Sequence, residues 1–175
     1  MNKRSLIVII ATVVLGGTAL IFFTESAGEF SKLSLPYQIM NAFFMAVSPR
    51  TAGFNAVDVG LLSPATLLTV MMLMVIGGGS GSTAGGIKVN TLGVLMALLK
   101  TTVLARSKAV IFERTIPIFT IHKAIAVTFF AASLTTFGTL FILMHDNFPF
   151  VQTLFEVISA FNTVGLSMEI GRAHV

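Results

Sequence analysis

Cysteine and tryptophan are absent, tyrosine occurs once, and charged residues make up only 10% of the 175-residue chain. Without cysteine there is neither a disulfide scaffold nor a thiolate metal site. A soluble domain usually carries about 25% charge, so this chain has little with which to solvate a surface. The net charge is only +4, and the basic residues are too scattered for a nucleic-acid groove. His122 and His145 stand alone and point to no metal site. No nucleophile has a base beside it, so nothing points to an enzyme. What the chain does have is apolar length: 55% of its residues are hydrophobic.

The first uncharged run, SLIVIIATVVLGGTALIFFT at 5–24, has the roughly 20 residues that a bilayer crossing needs. A signal peptide is the alternative, since Lys3 and Arg4 precede it. The run is longer than the usual h-region of about 7–15 residues, and no A-x-A cleavage site follows. Residues 33–49 are also uncharged but short, with Pro36 placed where the first turn of a helix tolerates it. They predict a short helix over 36–48. The third run, 59–87, is interrupted by glycines, and AIAVTFFAASLTTFGTLFILM at 124–144 is a second full span. A short apolar piece at 149–160 predicts another short helix.

These pieces repeat. Gly53 falls on Gly165, 112 positions on, and Thr51 falls on Thr163 and Phe43 on Phe155 at the same separation. Each unit is a span, a short helix and then Thr-small-Gly: TAGFN at 51–55, TVGLS at 163–167. This is the pattern of a span unit copied within a membrane protein. Lys100, Arg106, Lys108, Arg114 and Lys123 lie between the third and fourth runs, whereas 25–32 holds Glu25, Glu29 and Lys32. The positive-inside rule places the N-terminus and the 100–123 loop in the cytoplasm. Both short helices then enter from the outer face.

Non-helical backbone at membrane depth must be buried in protein or line a wet path. Thr-small-Gly suits the second. Glycine admits positive φ, so a carbonyl can turn where a side chain would intrude. Ring-arranged carbonyls replace the hydration shell of a cation in channel filters, and the C-terminal end of the preceding helix favours positive charge. The alternative is two extracellular turns with incidental glycines.

The stretches SPRTAGFN (48–55), GGGSGSTAGGIK (77–88), VIFERTIP (110–117) and FNTVGL (161–166) together resemble the Trk/Ktr/HKT potassium transporter superfamily. The likeness is to the C-terminal half of a Ktr-type uptake subunit. The resemblance implies an all-α integral membrane fold of span–pore helix–filter loop–span units, two of an expected four. It implies potassium uptake across the bacterial plasma membrane, through filter residues Thr51, Ala52, Gly53 and Phe54 and Thr163, Val164, Gly165 and Leu166. K+ would be transported cargo, held only at the filter, and no cofactor is expected. Glycine at the filter positions goes with potassium preference in this superfamily. Implied partners are a second full-length protomer and a cytosolic ring of nucleotide-binding regulatory subunits, with Arg106, Lys108 and Arg114 as candidate contacts. The resemblance divides the chain into a third-type repeat (1–100, with a broken span over 64–99), a cytoplasmic loop (101–123) and a truncated fourth repeat (124–168).

The glycine stretch superficially resembles a phosphate loop. Gly81 and Gly86 have Walker spacing, but Ile87 stands where the lysine must be and Lys88 comes one place late. A second alternative is a smooth helix face, since Gly77, Gly81 and Gly85 are spaced by four. Glycine this dense is poor helix material, however. A helix over 64–76 would be roughly 20 Å long, ending within a hydrocarbon core of roughly 30 Å. Residues 77–86 then form an irregular insert, and a second helix over 87–99 completes the crossing. The resemblance implies a gate at Gly77, Gly78, Gly79, Ser80, Gly81, Ser82, Thr83, Ala84, Gly85 and Gly86, with Lys88 beside it as an electrostatic element.

Arg50 either buttresses the first filter loop or snorkels. Asn55 and Asn162 either bond filter backbone or cap turns, and Asp58 either caps the next helix or attracts cations. Glu156, within a pore helix, is expected to face protein or a wet crevice. The tail EIGRAHV at 169–175 resembles a translated sequencing adapter, so the chain reads as part of a longer protein. A non-transporting membrane scaffold that keeps the fold is the second functional class.

Overall fold

A run apolar on every side has no preferred face to bury, so it remains helical only where its surroundings are also apolar. In the computed structural model, which describes residues 3–50, 52–78, 85–105, 110–111 and 114–168, two such runs are long helices. These are α1 (Lys3–Glu25) and α5 (Ile118–His145). Only 11% of the first apolar window and 6% of the second is buried within the protein. Phe119, Phe129, Phe130, Phe137 and Phe141 of α5 all point outward. In water this would be an apolar patch far beyond what a soluble protein exposes; in lipid it costs nothing. The fold is all-α and membrane-associated, apart from one minimal hairpin.

Four shorter helices complete it: α2 (Leu35–Val47), α3 (Pro64–Val75), α4 (Val89–Val103) and α6 (Phe150–Phe161). A 3-10 turn at Glu29–Lys32 joins α1 to α2, and another at Val59–Leu61 precedes α3. α1 packs on α2 and α3, α5 packs on α6 and α4, and α3 reaches across to α6. One core joins both halves: Ile21, Ala46, Val70, Met74, Phe155 and Val164 belong to the same buried cluster.

Two local findings differ from the outline read from charge. α5 begins at Ile118 rather than at 124 and includes His122 and Lys123. Counting uncharged residues stops at a lysine, whereas a helix near the membrane surface continues through it while the side chain reaches water. Within 101–123, β1 (Val110–Ile111) pairs antiparallel with β2 (Arg114–Thr115), with Ile111 opposite Arg114. The two form a minimal two-stranded sheet.

Glu25 is a structural residue whose role the sequence did not reveal. It is 1% exposed. Its Oε1 accepts from the Ser63 N–H at 2.8 Å and its Oε2 from the Glu29 N–H at 3.3 Å. Thr24 and Thr66 meet hydroxyl to hydroxyl at 2.6 Å just beneath. One carboxylate thus ties the end of α1 to the start of α3. Glu25→Ala should lower stability by about 1–3 kcal/mol, the cost of stranding buried donors. It should appear as a lower thermal midpoint in detergent; an unchanged midpoint would show that the tie is dispensable.

Candidate functional site

The two short helices end in related ways. α2 runs into Ser48 and α6 into Asn162, and positive-φ backbone follows each. Gly53 has φ +68° and Gly165 φ +88°, the left-handed region that only glycine adopts without penalty. In each loop a serine hydroxyl reaches back to the fourth residue of the tetrad. Ser48 Oγ donates to the Phe54 carbonyl at 2.5 Å and Ser159 Oγ to the Leu166 carbonyl at 2.6 Å. The acceptors correspond at a separation of 112, whereas the donors are one residue out of step.

The loops also meet. A Cβ built on Gly53 would lie 2.5 Å from the Val164 carbonyl oxygen and 3.4 Å from Gly165 Cα. Among the described residues, no donor bonds the carbonyls of Ala52, Gly53, Thr163, Val164 or Gly165. Of these five residues Ala52, Thr163 and Gly165 are exposed, Gly53 is partly buried and Val164 is buried. Thr51 lies outside the described residues. Phe54 is exposed, whereas Val164 and Leu166 are buried.

Thr163 is a finding no spacing rule offers. Its φ is +54°, and a β-branched residue there is strained. Its Oγ1 accepts the Gly85 N–H at 3.0 Å, which brings the glycine insert up against the second loop. A Cβ on Gly86, itself at φ +75°, would collide with Asn162 Oδ1, and one on Gly85 would lie 2.9 Å from the Asn162 carbonyl carbon. Asn162 is 2% exposed and donates through Nδ2 to the Ile158 carbonyl at 2.7 Å.

The ends of the insert are stapled together. Gly77 N–H donates to Ile87 O at 3.0 Å and Ile87 N–H to Val75 O at 3.0 Å. Val89 N–H donates to Gly78 O at 3.3 Å, and Ile76 and Ile87 form a parallel bridge. Glycine is required at 77 because a Cβ there would strike the Gly85 carbonyl. α3 therefore stops at Val75 and α4 starts at Val89. At 12 and 15 residues, they span about 18 and 22 Å. Each falls short of a hydrocarbon core of about 30 Å. Gly79, Ser80, Gly81, Ser82, Thr83 and Ala84 lie outside the described residues. Lys88 is exposed at the N-cap of α4, where the helix dipole opposes a cation.

The remaining singled-out side chains are distributed as follows. Asp58 Oδ1 accepts from Gly60 N–H at 2.9 Å and caps only the 3-10 turn, while Ser63 caps α3. Asn55 is exposed. Arg50 is partly buried. Glu156 Oε1 accepts from Ser167 Oγ and from Met168 N–H, both at 2.7 Å. Arg114 sits in β2, and Arg106 and Lys108 lie outside the described residues. No group of three or more His, Asp or Glu that could hold a metal occurs among the described residues.

The profile of the TrkH family, described as cation transport protein, matches residues 3–173. The Ktr system potassium uptake protein B of Bacillus subtilis (strain 168) is 36% identical over 151 residues, covering 86% of this chain and 34% of that protein. The potassium/sodium uptake protein NtpJ of Enterococcus hirae is 35% identical over 173 residues, covering 96% of this chain and 38% of the relative. The Ktr system potassium uptake protein B of Vibrio alginolyticus is 36% identical over 165 residues, covering 92% and 36%. The chain spans about a third of the length of these curated relatives.

Proposed function

The chain belongs to the TrkH family of cation transport proteins, and on that premise we propose that it supplies two quarters of a potassium-conducting filter together with the gate beneath it. The observation that carries this reading is the meeting of the two glycine loops, with five carbonyls free of protein donors among the described residues. The residues that act are Thr51, Ala52, Gly53 and Phe54 in one loop and Thr163, Val164, Gly165 and Leu166 in the other. Their backbone carbonyls stand in for the water around K+. α2 and α6 direct the negative ends of their dipoles toward the ion. Two further repeats complete the ring in the assembled transporter.

The gate is the insert 77–86. Support comes from its stapled ends and from the contact between Gly85 and Thr163. A loop whose base is fixed can change shape without dragging both half-helices with it. Lys88, set against the dipole of α4, adds a positive field that disfavours a cation at this level. The N-terminus and residues 101–117 face the cytoplasm. There the segment around Arg106, Lys108 and Arg114 meets a nucleotide-binding regulatory ring, and two full-length protomers pair in the membrane.

The test is transport by the full-length protein. It should restore growth of potassium-uptake-deficient cells at low external potassium, and in proteoliposomes it should carry potassium in preference to sodium. A correctly inserted protein with no cation flux would instead identify a membrane scaffold that retains the fold.

A further inference from the structure

The second pore helix carries a charge that the proposed ion path does not use. Glu156 lies on α6, and its counterpart on α2, 112 positions upstream, is Phe44. The carboxylate is partly buried, and a single oxygen, Oε1, accepts both Ser167 Oγ and Met168 N–H at 2.7 Å. These donors immediately follow Leu166, the last residue of the filter tetrad.

Three further attachments lie just before them. Ser159 Oγ donates to Leu166 O at 2.6 Å, Val164 N–H donates to Ser159 O at 2.9 Å, and Thr163 N–H donates to Ala160 O at 3.1 Å. Within 163–168 every residue but Gly165 is thus bonded to its own pore helix. The other loop is held differently. Ser48 takes Ala52 N–H at 3.2 Å and Gly53 N–H at 3.3 Å and grips Phe54 O, but the residues beyond, Asn55 and Ala56, are exposed.

We propose that Glu156 is a positioning residue for ion selection. Its carboxylate sets the distance between α6 and the segment that follows the loop, and so fixes where the Thr163–Gly165 carbonyls stand. The inference rests on the filter reading above and adds a residue that touches no ion. A carboxylate suits the task because one oxygen accepts two donors, and hydrogen bonds to an ionised acceptor are short and strong. Carbonyl selection between cations of different size depends on how firmly the cage is held. A loop without the two bonds beyond Leu166 would relax around the smaller ion.

The experiment compares potassium and sodium uptake by the full-length transporter in proteoliposomes for the wild type, Glu156→Gln, Glu156→Ala and Ser167→Ala. Folding is monitored by size-exclusion profile. Glu156→Ala should lower the potassium-to-sodium ratio about tenfold, the scale of losing bonds to a charged acceptor. Glu156→Gln keeps a carbonyl oxygen in place and should stay within about threefold of wild type. Ser167→Ala, which removes one of the two bonds, should fall between them. An unchanged ratio in folded Glu156→Ala overturns the brace. If that variant does not fold, an unchanged ratio in Ser167→Ala does so. A Gln variant as impaired as the Ala variant also overturns it, in favour of a field effect of the charge. A wild type that carries no potassium overturns the filter reading itself.

Discussion

Gly53→Ala is expected to cut potassium uptake about a hundredfold, and Gly165→Ala only about tenfold. Both positions have positive φ, +68° and +88°, where a side chain costs about 1–2 kcal/mol. Their surroundings differ. The new methyl at 53 would sit 2.5 Å from the Val164 carbonyl oxygen, whereas the one at 165 would meet nothing closer than Gly53 Cα at 3.8 Å. The obstacle at 53 is backbone of the opposite loop, which cannot rotate away as a flexible side chain would. Overpacking of this kind adds about 1–3 kcal/mol, and about 3 kcal/mol in total corresponds to the hundredfold loss. The check is uptake per correctly inserted protein at low external potassium for both variants. Equal losses would mean that conformation alone governs these positions and that the close approach of the loops plays no part.

Deleting residues 78–86 should raise basal cation flux about tenfold, a shift of about 1.4 kcal/mol in the open population. Such a deletion would ordinarily be too disruptive to interpret. Here Gly77 N–H already donates to Ile87 O at 3.0 Å, so the cut ends lie side by side and can be rejoined with little movement of α3 or α4. The deletion also removes Gly85 from Thr163 Oγ1 and Gly86 from Asn162. Unchanged or reduced flux in an inserted, thermally stable variant would dismiss the insert as a gate. Thr163→Val separates the two effects, because it leaves the insert intact and removes only the acceptor for Gly85 N–H.

Much of the fold was legible because the membrane imposes few solutions. Runs such as 5–24 can only be helices there, since lipid offers nothing to unpaired backbone groups. The recurrence of Thr51 and Gly53 at Thr163 and Gly165 located both loops with no contact known. The break in the third span was legible for a related reason: a run of glycines after Ile76 removes the helix propensity that the flanking residues supply. The start of α5 was not, because Lys123 looks like a boundary until its long side chain is allowed to reach water.

The candidate site was less legible where it depends on partners remote in sequence. Nothing near Glu25 announces that its carboxylate receives Ser63 N–H, and nothing near Glu156 announces Ser167 and Met168 as its donors. Thr163 reads as a filter threonine, yet its left-handed backbone and its bond to Gly85 arise only when two segments far apart in the chain are packed together. Periodicity, charge and repetition are local or translational properties of a chain, so they determined which segments form long apolar helices, which form short ones and where glycine stands. Only the packed structure decided which glycine faces a carbonyl, which hydroxyl supports the insert and which carboxylate holds the loop. Those choices are made by distances of about 3 Å between hydrogen-bonding atoms, and no spacing along the chain encodes them.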